Sequence, residues 1–532
     1  MRAPIFTILF ALLAGCIALA LMWSGVWVAV ALVSILLAVA LVDATQNRHA
    51  ILRNFPLLGR FRYLFEMIRP EIQQYFVEAD TDGVPFNRER RSVVYQRAKS
   101  VMDTLPFGTQ MDVYAPGYEW ISHSFMAKYP AHEVPRVLIG GDTCKQPYSS
   151  SLLNISAMSY GSLSANAVES LNLGAKLGGF AHNTGEGGAS PFHLNPGGDV
   201  IWQLGTGYFG CRTSDGKFDP EKFKQAAKHP SIKMIEIKIS QGAKPGHGGI
   251  LPAAKVTEEI SSIRGVPMGA DVLSPPTHNT WRTPSELLQW IEDLRRLSDG
   301  KPIGFKFCVG RPEEFMALCM AMRASGRHPD FIVVDGGEGG TGAAPLEFSN
   351  SVGMPLNEGL VFVHNCLVGF ALREKIKIVA SGKVITGFDM VTRLALGADL
   401  CYSARAMMMA IGCIQARRCN ANDCPAGVAT QKKSLMQGLN VADKAPRVES
   451  YHMETIQSLL ELVGAAGLQA PSEITPHHIM RRVQGTEVLS YFDLYPFIER
   501  GALISDPVPE AYEDAWRRAS RNQFESSFDT LF

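Results

Sequence analysis

Three of the ten cysteines in this chain lie in one short segment, CIQARRCNANDCPAGVATQ. The segment begins at Cys413, and Cys419 and Cys424 follow at spacings of six and five residues. This spacing matches neither one face of a helix nor one face of a strand, so packing in a regular element explains it poorly. The three cysteines are therefore better explained by a chemical role than by packing.

Ionisable side chains are concentrated in two further segments, NTGEGG and EIKISQGAKPGHGG. They place Glu186, Lys238 and Lys244 at or after the ends of apolar runs that have the length of strands. We expect these three groups to share one cavity, where the lysines would suit a dicarboxylate and an acid would suit an imine intermediate. The alternative is a rim of salt bridges without a catalytic role.

Glycine- and serine-rich segments at residues 335–343, 380–387 and 402–406 are candidates for holding an anion. Small residues let backbone N–H groups approach a phosphate, and Lys383 and Arg405 add positive charge. Late-strand phosphate sites of this kind occur in flavin barrels. The alternative is that each segment is only a turn, since glycine is common in loops.

Lys306 lies inside the apolar run GFKFCV, which places a lysine on a central strand. A buried lysine needs a partner. The edge of a flavin ring, which is anionic when reduced, would provide one. A core carboxylate such as Asp271 or Asp335 is the alternative.

Eight short apolar runs that end in glycine- or serine-rich turns alternate with helical patterns. These runs occupy residues 152–159, 179–188, 234–242, 269–276, 303–310, 331–340, 376–383 and 399–406. Eight buried strands alternating with helices predict an α/β fold, a (β/α)8 TIM barrel whose sites lie at the carboxyl ends of the strands. An open doubly wound sheet is the alternative, although the GxGxxG fingerprint after its first strand is absent.

The N-terminus has no charged residue from position 5 to position 42. Residues 5–22 and 26–42 are each about long enough to cross a bilayer, and WSGVW between them supplies a turn. Arginines at both ends predict a transmembrane helical hairpin in the inner (cytoplasmic) membrane, with the rest of the chain facing the cytoplasm. The alternative is a signal peptide, because LLAGC, which ends at Cys16, resembles a lipoprotein cleavage box.

The charges of the chain balance, with 51 basic and 51 acidic residues, so we expect no nucleic-acid partner. The scattered cysteines indicate reduced thiols rather than disulfides. Four segments are predicted: the hairpin at 1–42, a mixed arm at 43–150, the barrel at 151–431 with its cysteine loop at 413–424, and a C-terminal helical extension at 432–532.

Several long motifs resemble the FMN-binding synthase domain of glutamate synthase. They are ISAMSYGSLS, NTGEGG, KISQGAKPGHGGILP, SPPTHN, DGGEGGTGA and CIQARRCNANDCPAGVATQ, in family order from about residue 153 to residue 431. The resemblance implies that Cys413, Cys419 and Cys424 hold a [3Fe–4S] cluster next to FMN, which agrees with the preference of such clusters for thiolates. A zinc site of three cysteines and an outside histidine is the alternative.

The same resemblance implies a role for each remaining site residue. FMN would lie against Ala157, Met158 and Ser159 with Lys306 near its pyrimidine edge, and its phosphate on Gly336, Gly337, Ser381, Gly382, Lys383 and Arg405. The 2-oxoglutarate site maps onto Glu186, Lys238, Gln241, Lys244 and Arg264, of which Glu186 and Lys244 are the expected catalytic residues.

Two departures from the family pattern are visible. GHGGILP stands where the family has GEGGQLPG, so His247 replaces a carboxylate and Ile250 a polar ligand, which puts the substrate in question. We also expect the glutaminase and β-helix domains of glutamate synthases to be lacking, and with them the use of glutamine.

The implied function is that of an oxidoreductase acting on CH–NH2 donors, which would aminate 2-oxoglutarate or a related 2-oxo acid reductively with ammonia or an amine. Electrons would come from a ferredoxin-like or separate reductase partner. Two alternatives are a dehydrogenase that oxidises amino or N-alkylamino acids and feeds electrons to the membrane, and a non-catalytic electron-transfer subunit. The oligomeric state is open, and a homo-oligomer is compatible with the sequence.

Overall fold

The computed structural model describes residues 2–46, 48–101, 104, 106–129, 133–142 and 144–525, in two compact units, Met1–Arg88 and Glu89–Phe532. The α-helices are α1 Arg2–Ala20, α2 Trp27–Thr45, α3 Ala50–Asn54, α4 Leu58–Ile72, α5 Arg88–Ala98, α6 Ala165–Gly178, α7 Pro191–Leu194, α8 Pro220–Ala227, α9 Glu258–Arg264, α10 Pro284–Leu297, α11 Pro312–Ser325, α12 Leu346–Ser351, α13 Leu356–Gly369, α14 Gly387–Ala395, α15 Arg405–Ala410, α16 Lys433–Met436, α17 Val441–Ala465, α18 Tyr491–Leu494 and α19 Glu510–Arg518. The strands are β1 Glu119–Ile121, β2 Arg136–Ile139, β3 Tyr148–Ser151, β4 Leu153–Ile155, β5 Ala181–Asn183, β6 Asp199–Leu204, β7 Ile232–Lys238, β8 Ile250–Leu251, β9 Val272–Leu273, β10 Ile303–Phe307, β11 Phe331–Asp335, β12 Lys377–Ser381, β13 Leu400–Ser403, β14 Ile479–Gln484 and β15 Glu487–Ser490.

The first unit begins with two apolar helices, α1 and α2, which contact each other. Ala3–Ala20 and Ser24–Thr45 are long and apolar enough to cross a membrane, and only 11% of each span is buried within the protein. Near the end of α2 the Asp43 carboxylate is buried and accepts a 2.6 Å hydrogen bond from Arg60 of α4. The predicted pair of apolar helices is confirmed, whereas its insertion into a membrane stays a prediction.

The second unit is built on a closed barrel of eight parallel strands, ordered β4–β5–β6–β7–β10–β11–β12–β13. The barrel closes where β13 pairs with β4, with Tyr402 opposite Asn154. Strands of this barrel are buried almost throughout, as expected of a parallel sheet covered by helices. The predicted TIM-barrel fold is confirmed.

One of the eight predicted strands was wrong. In the segment 269–276 only Val272–Leu273 is extended, and it pairs with Ile250–Leu251 in a two-stranded sheet outside the barrel. The missing barrel member is β6, in the sequence DVIWQL. It escaped the pattern because only the four-residue helix α7, rather than a full-length helix, separates it from β5.

A hairpin of β2 and β3 covers one end of the barrel. Its residues Ile139 and Tyr148 belong to a buried cluster that includes Ala181, Phe331 and Leu400, the first residues of β5, β11 and β13. The hairpin therefore closes the amino-terminal end. The opposite, carboxyl-terminal end is the one where barrel enzymes carry their active sites.

The C-terminal segment packs along the outside of the barrel. Its long helix α17 contacts α6 and α14. Residues 432–532 are not purely helical as predicted, since β14 and β15 form an antiparallel sheet with β1 of the arm. The arm and the C-terminal segment therefore share one sheet.

Candidate active site at the carboxyl ends of the barrel strands

The side chains with predicted roles lie at or beyond the carboxyl ends of the barrel strands. Lys238 is the last residue of β7, and Lys306 of β10 is in register with it. The segments after β4, β11, β12 and β13 bring the remaining predicted residues to the same end. Arg264 ends α9, which belongs to the long connection between β7 and β10.

Glu186 and Lys238 form an ion pair that is largely buried. The distance from Lys238 Nζ to Glu186 Oε1 is 2.6 Å. Burial alone would raise the pKa of Glu186, but Lys238, Lys244 and Arg264 together hold it below its usual value. The carboxylate is therefore ionised and surrounded by cations, and the structure brings together four of the predicted substrate residues.

Two glycines make the room that the Glu186 side chain occupies. A Cβ atom at Gly249 would lie 2.6 Å from Glu186 Oε1, and a Cβ atom at Gly205 would lie 2.6 Å from Glu186 Cβ. Contacts this short do not occur between real side chains and a Cβ atom. The position of the carboxylate therefore depends on both glycines.

Lys244 and Arg264 are buried cations with carbonyl partners. Lys244 Nζ donates a 3.0 Å hydrogen bond to the carbonyl of Ala343, and Arg264 Nη2 donates a 2.9 Å hydrogen bond to the carbonyl of Tyr160. Burial, together with nearby Lys238, lowers the pKa of Lys244 to about 8, and burial lowers the pKa of Arg264 to about 10. In the described part of the chain, neither forms a salt bridge.

Two buried donors near this pair have no hydrogen-bond partner among the described residues. They are the amide nitrogen Nε2 of Gln241 and the guanidinium Nε of Arg264. Buried donors of folded proteins are normally paired, so such atoms mark places where a ligand would complete the bonding.

The segment after β4, predicted to lie against a flavin, is held by close backbone contacts. The Met158 N–H donates to the carbonyl of Asn183 at 3.3 Å. A Cβ atom at Gly185 would lie 2.7 Å from the backbone nitrogen of Ser159, so NTGEGG packs directly on this segment. Arg264 Nη2 lies 3.4 Å from Ser159 Oγ, which joins this segment to a predicted substrate residue.

Lys306 pairs with Asp335, one of the two core carboxylates considered for it. Lys306 Nζ lies 3.3 Å from Asp335 Oδ1, and both side chains are buried. Asp335 also accepts a 2.6 Å hydrogen bond from the Ser381 hydroxyl and a 2.7 Å hydrogen bond from the Gly242 N–H. Its carboxylate therefore joins β10, the end of β12 and the loop that carries Lys244.

The predicted phosphate site differs in part from expectation. The N–H groups of Gly336 and Gly337 already donate to the carbonyls of Ser381, at 2.9 Å, and Met354, at 2.8 Å. The predicted phosphate-binding cations are Lys383 and Arg405. Lys383 lies in residues 381–386, here named the phosphate loop. Burial and the neighbouring Arg405 lower the pKa of Lys383.

The cysteine loop, residues 413–424, contains neither helix nor strand, as the spacing of its cysteines indicated. Burial raises the pKa of Cys413 to about 12, and Cys419 and Cys424 are near enough to contribute. No group of three described Cys, His, Asp or Glu side chains converges on a position for one metal ion. The tetrahedral convergence that a zinc site needs is thus missing from the described residues.

His278, in the motif SPPTHN, has a structural role that the sequence did not indicate. Its buried ring bridges the carbonyl of Lys238, 2.8 Å from Nε2, and the Tyr208 hydroxyl, 3.0 Å from Nδ1. His278 therefore fixes the end of β7 from which Lys238 reaches Glu186. No local pattern could have identified this contact, because the partners are 40 and 70 residues away in the chain.

Comparison with known proteins agrees with the motifs. A model of the conserved region in glutamate synthase matches residues 130–469. The chain belongs to the glutamate synthase family. The matched region contains every residue with a predicted substrate, cofactor or cluster role, from Ala157 to Cys424.

Individual relatives differ in how much of their length is covered. The chain is 38% identical over 494 residues to the glutamate synthase large subunit-like protein YerD of Bacillus subtilis, across 85% of this chain and 93% of that protein. It is 37% identical over 318 residues to the archaeal glutamate synthase (NADPH) of Methanocaldococcus jannaschii, and covers 59% of that protein's length. A solved structure of a mandelate oxidase mutant with benzaldehyde has a TM-score of 0.42 at 13% identity, over 82% of this chain and 98% of that chain. The predictions of family membership and of a glutamate synthase-like oxidoreductase are confirmed.

Proposed function

We propose that the chain is an FMN- and [3Fe–4S]-dependent enzyme that aminates 2-oxoglutarate, or a related 2-oxo acid, with ammonia or an amine. The observation that carries this proposal is the arrangement of charge around Glu186. Three buried cations surround one carboxylate, and the carboxylate forms its salt bridge with Lys238 alone among the described residues.

Because Glu186 pairs with Lys238, the cations Lys244 and Arg264 leave two positive charges at this end of the barrel without a salt bridge among the described residues. Burying a charge is costly unless it is paired, so two such cations favour a ligand with two negative charges. A 2-oxo diacid supplies two carboxylates. Gln241 Nε2, buried and without a partner among the described residues, supports a further hydrogen bond to the ligand.

Glu186 would act as an ionised group. Because Lys238 lies 2.6 Å away and the pKa of Glu186 is lowered, its carboxylate would accept a hydrogen bond or a proton from the attacking amine rather than donate one. Lys244, with its pKa lowered to about 8, would hold a substrate carboxylate in its charged form. Holding both substrates next to these groups would favour formation of the imine.

FMN, when bound, supplies the hydride chemistry that reduces the imine. The residues fit this group in their charge: Lys383 and Arg405 are neighbouring cations, and burial together with Arg405 lowers the pKa of Lys383. A phosphate near both cations would relieve that repulsion. Ala157, Met158 and Ser159 would face the ring, and Lys306 would lie near its pyrimidine edge.

A [3Fe–4S] cluster fits the donor set of the cysteine loop. Each thiolate of such a cluster binds a different iron, so the three sulfurs need not converge on one point. Lys255 is buried, which lowers its pKa to about 8, and the nearby thiols of Cys419 and Cys424 act in the opposite direction and raise it. A cation in that place would stabilise an anionic cluster, and electrons would enter there from a ferredoxin-like or separate reductase partner.

The apolar helices α1 and α2 support a further proposal, that the chain is anchored in the inner membrane with its barrel in the cytoplasm. Their length, their low charge and the arginines that follow them favour this topology.

The test of the function is product analysis with the purified full chain. We expect bound FMN, about three irons per chain, and glutamate formed from 2-oxoglutarate and ammonia under reducing conditions. Glutamate or N-methylglutamate offered with an electron acceptor tests the reverse direction. Turnover only in that direction would replace the proposal with the dehydrogenase alternative, and zinc without iron would remove the cluster.

A further inference from the structure

Helix α5 touches both loops that are assigned to cofactors. It lies before residue 130, where the match to the family's conserved region begins. Arg90 of α5 contacts the phosphate loop, and Tyr95 of the same helix contacts the cysteine loop. Both residues belong to the second compact unit, together with the barrel.

Arg90 holds the phosphate loop through two acceptors. Its Nη2 atom lies 2.5 Å from Asp389 Oδ2 and 3.3 Å from the carbonyl of Lys383. Lys383 has φ +49°, a left-handed conformation that is unfavourable for a lysine and needs support from its surroundings. Asp389 Oδ2 in turn accepts the N–H groups of Ile385, at 2.8 Å, and Thr386, at 2.9 Å.

Tyr95 holds the start of the cysteine loop. Its hydroxyl donates a 2.8 Å hydrogen bond to the carbonyl of Cys413, the first of the three cysteines. The Cys413 N–H donates to the carbonyl of Met408 at 2.9 Å, so this residue is fixed from both sides.

The far end of α5 is itself anchored on α17. The Ser450 hydroxyl donates a 2.7 Å hydrogen bond to the carbonyl of Arg97. From the same helix α17, the Tyr451 hydroxyl donates a 2.7 Å hydrogen bond to the carbonyl of Ile385 in the phosphate loop. A helix tied to α17 and to both loops is placed to keep the loops in a fixed relation.

We propose that α5 is a clasp, a helix that sets the position of the phosphate loop relative to the cysteine loop, with Arg90 and Tyr95 as its positioning residues. The cofactor assignments rest on the proposed function, but the clasp does not. Its direct effect is to keep two loops of this chain, the phosphate loop and the cysteine loop, well ordered.

Hydrogen–deuterium exchange on the full chain tests the clasp without relying on the cofactors. In Arg90→Gln we expect exchange in residues 382–389 to rise roughly tenfold or more, because a charge-assisted contact is lost. In Tyr95→Phe we expect a rise of about two- to tenfold in residues 413–419, because one neutral hydrogen bond is lost. Arg90→Lys should restore part of the protection.

Matched controls are Arg88→Gln on the same helix, where the arginine pairs with Asp80 at exposed positions, and Tyr114→Phe at an exposed tyrosine. Both should leave the two loops unchanged. FMN release should accelerate in Arg90→Gln, and chelators should remove iron faster from Tyr95→Phe.

Unchanged exchange in both loops would overturn the clasp, and so would a uniform rise across the barrel with a lower melting temperature, which indicates general destabilisation. A wild-type chain without FMN or iron would refute the proposed function, while the exchange data would still decide the clasp.

Discussion

Replacing Gly249 by alanine tests whether the Glu186–Lys238 pair forms the substrate site. The new Cβ atom would lie 2.6 Å from Glu186 Oε1 and 2.9 Å from Oε2, so the carboxylate cannot stay where it is. The clashing atoms are the far end of a flexible side chain, and no left-handed φ is recorded for Gly249. We therefore expect the fold to tolerate the change while the carboxylate moves away from Lys238.

The size of the effect follows from the lost contact. Once displaced, the carboxylate can no longer make its proposed charge-assisted hydrogen bond to the attacking amine, and losing one such bond costs about 1.5–3 kcal/mol, or roughly ten- to hundredfold in affinity or rate. We expect 2-oxoglutarate binding and amination to fall by this factor, measured by calorimetry and by glutamate formation, with FMN retained.

The control is Gly310→Ala, because no atom lies within 4 Å of a Cβ atom at Gly310. Both variants should melt within a few degrees of the wild type. If Gly249→Ala binds and aminates the oxo acid like the control, Glu186 has no part in the site and the reasoning from its surroundings is refuted.

Three further outcomes are expected. Binding of 2-oxoglutarate should weaken about tenfold per pH unit above a pH near 8. The reason is that burial and Lys238 lower the pKa of Lys244 to about 8, so that the lysine loses its charge as the pH rises through that value. Lys244→Arg should move the pH at which binding begins to weaken upward, and an unchanged pH would assign the effect to another group. Gly242→Ala should yield little folded protein, since its Cβ atom would lie 1.6 Å from the backbone oxygen of Gly336, and a wild-type melting temperature would contradict this contact. Cys419→Ser should lose iron, measured by metal analysis, while most of the FMN stays; full iron retention would remove this thiol from the cluster.

The sequence was sufficient for the barrel because seven of its eight strands end in recognisable glycine- or serine-rich turns. It failed where a connection departs from the repeating pattern. Strand β6 follows a four-residue helix, and the apolar segment 269–276 contributes only a short pair outside the barrel. Periodicity detects strands but not their partners, so the count was right and one member was wrong.

That the candidate site residues lie at one end of the barrel was predictable, because parallel strands deliver their carboxyl ends to one face. Their individual partners were not. Gly249 stands against Glu186, and His278 against Lys238, through contacts that only the closed barrel creates. The same holds for Gly336, whose N–H was expected at a phosphate and instead bonds the carbonyl of Ser381.

Asp335 shows how these contacts make one site out of several strand ends. One oxygen of its carboxylate meets Lys306 and Ser381, and the other accepts the N–H of Gly242. The loop that begins at Gly242 carries Lys244, which is close enough to Glu186 to help lower the pKa of its carboxylate. A shift of the phosphate loop at Ser381 would therefore be transmitted through this buried carboxylate to Lys306 and to the loop of Lys244. Because a buried carboxylate with three partners has few alternative positions, the ends of β10 and β12 and the loop of Lys244 are held in one geometry rather than adjusted separately.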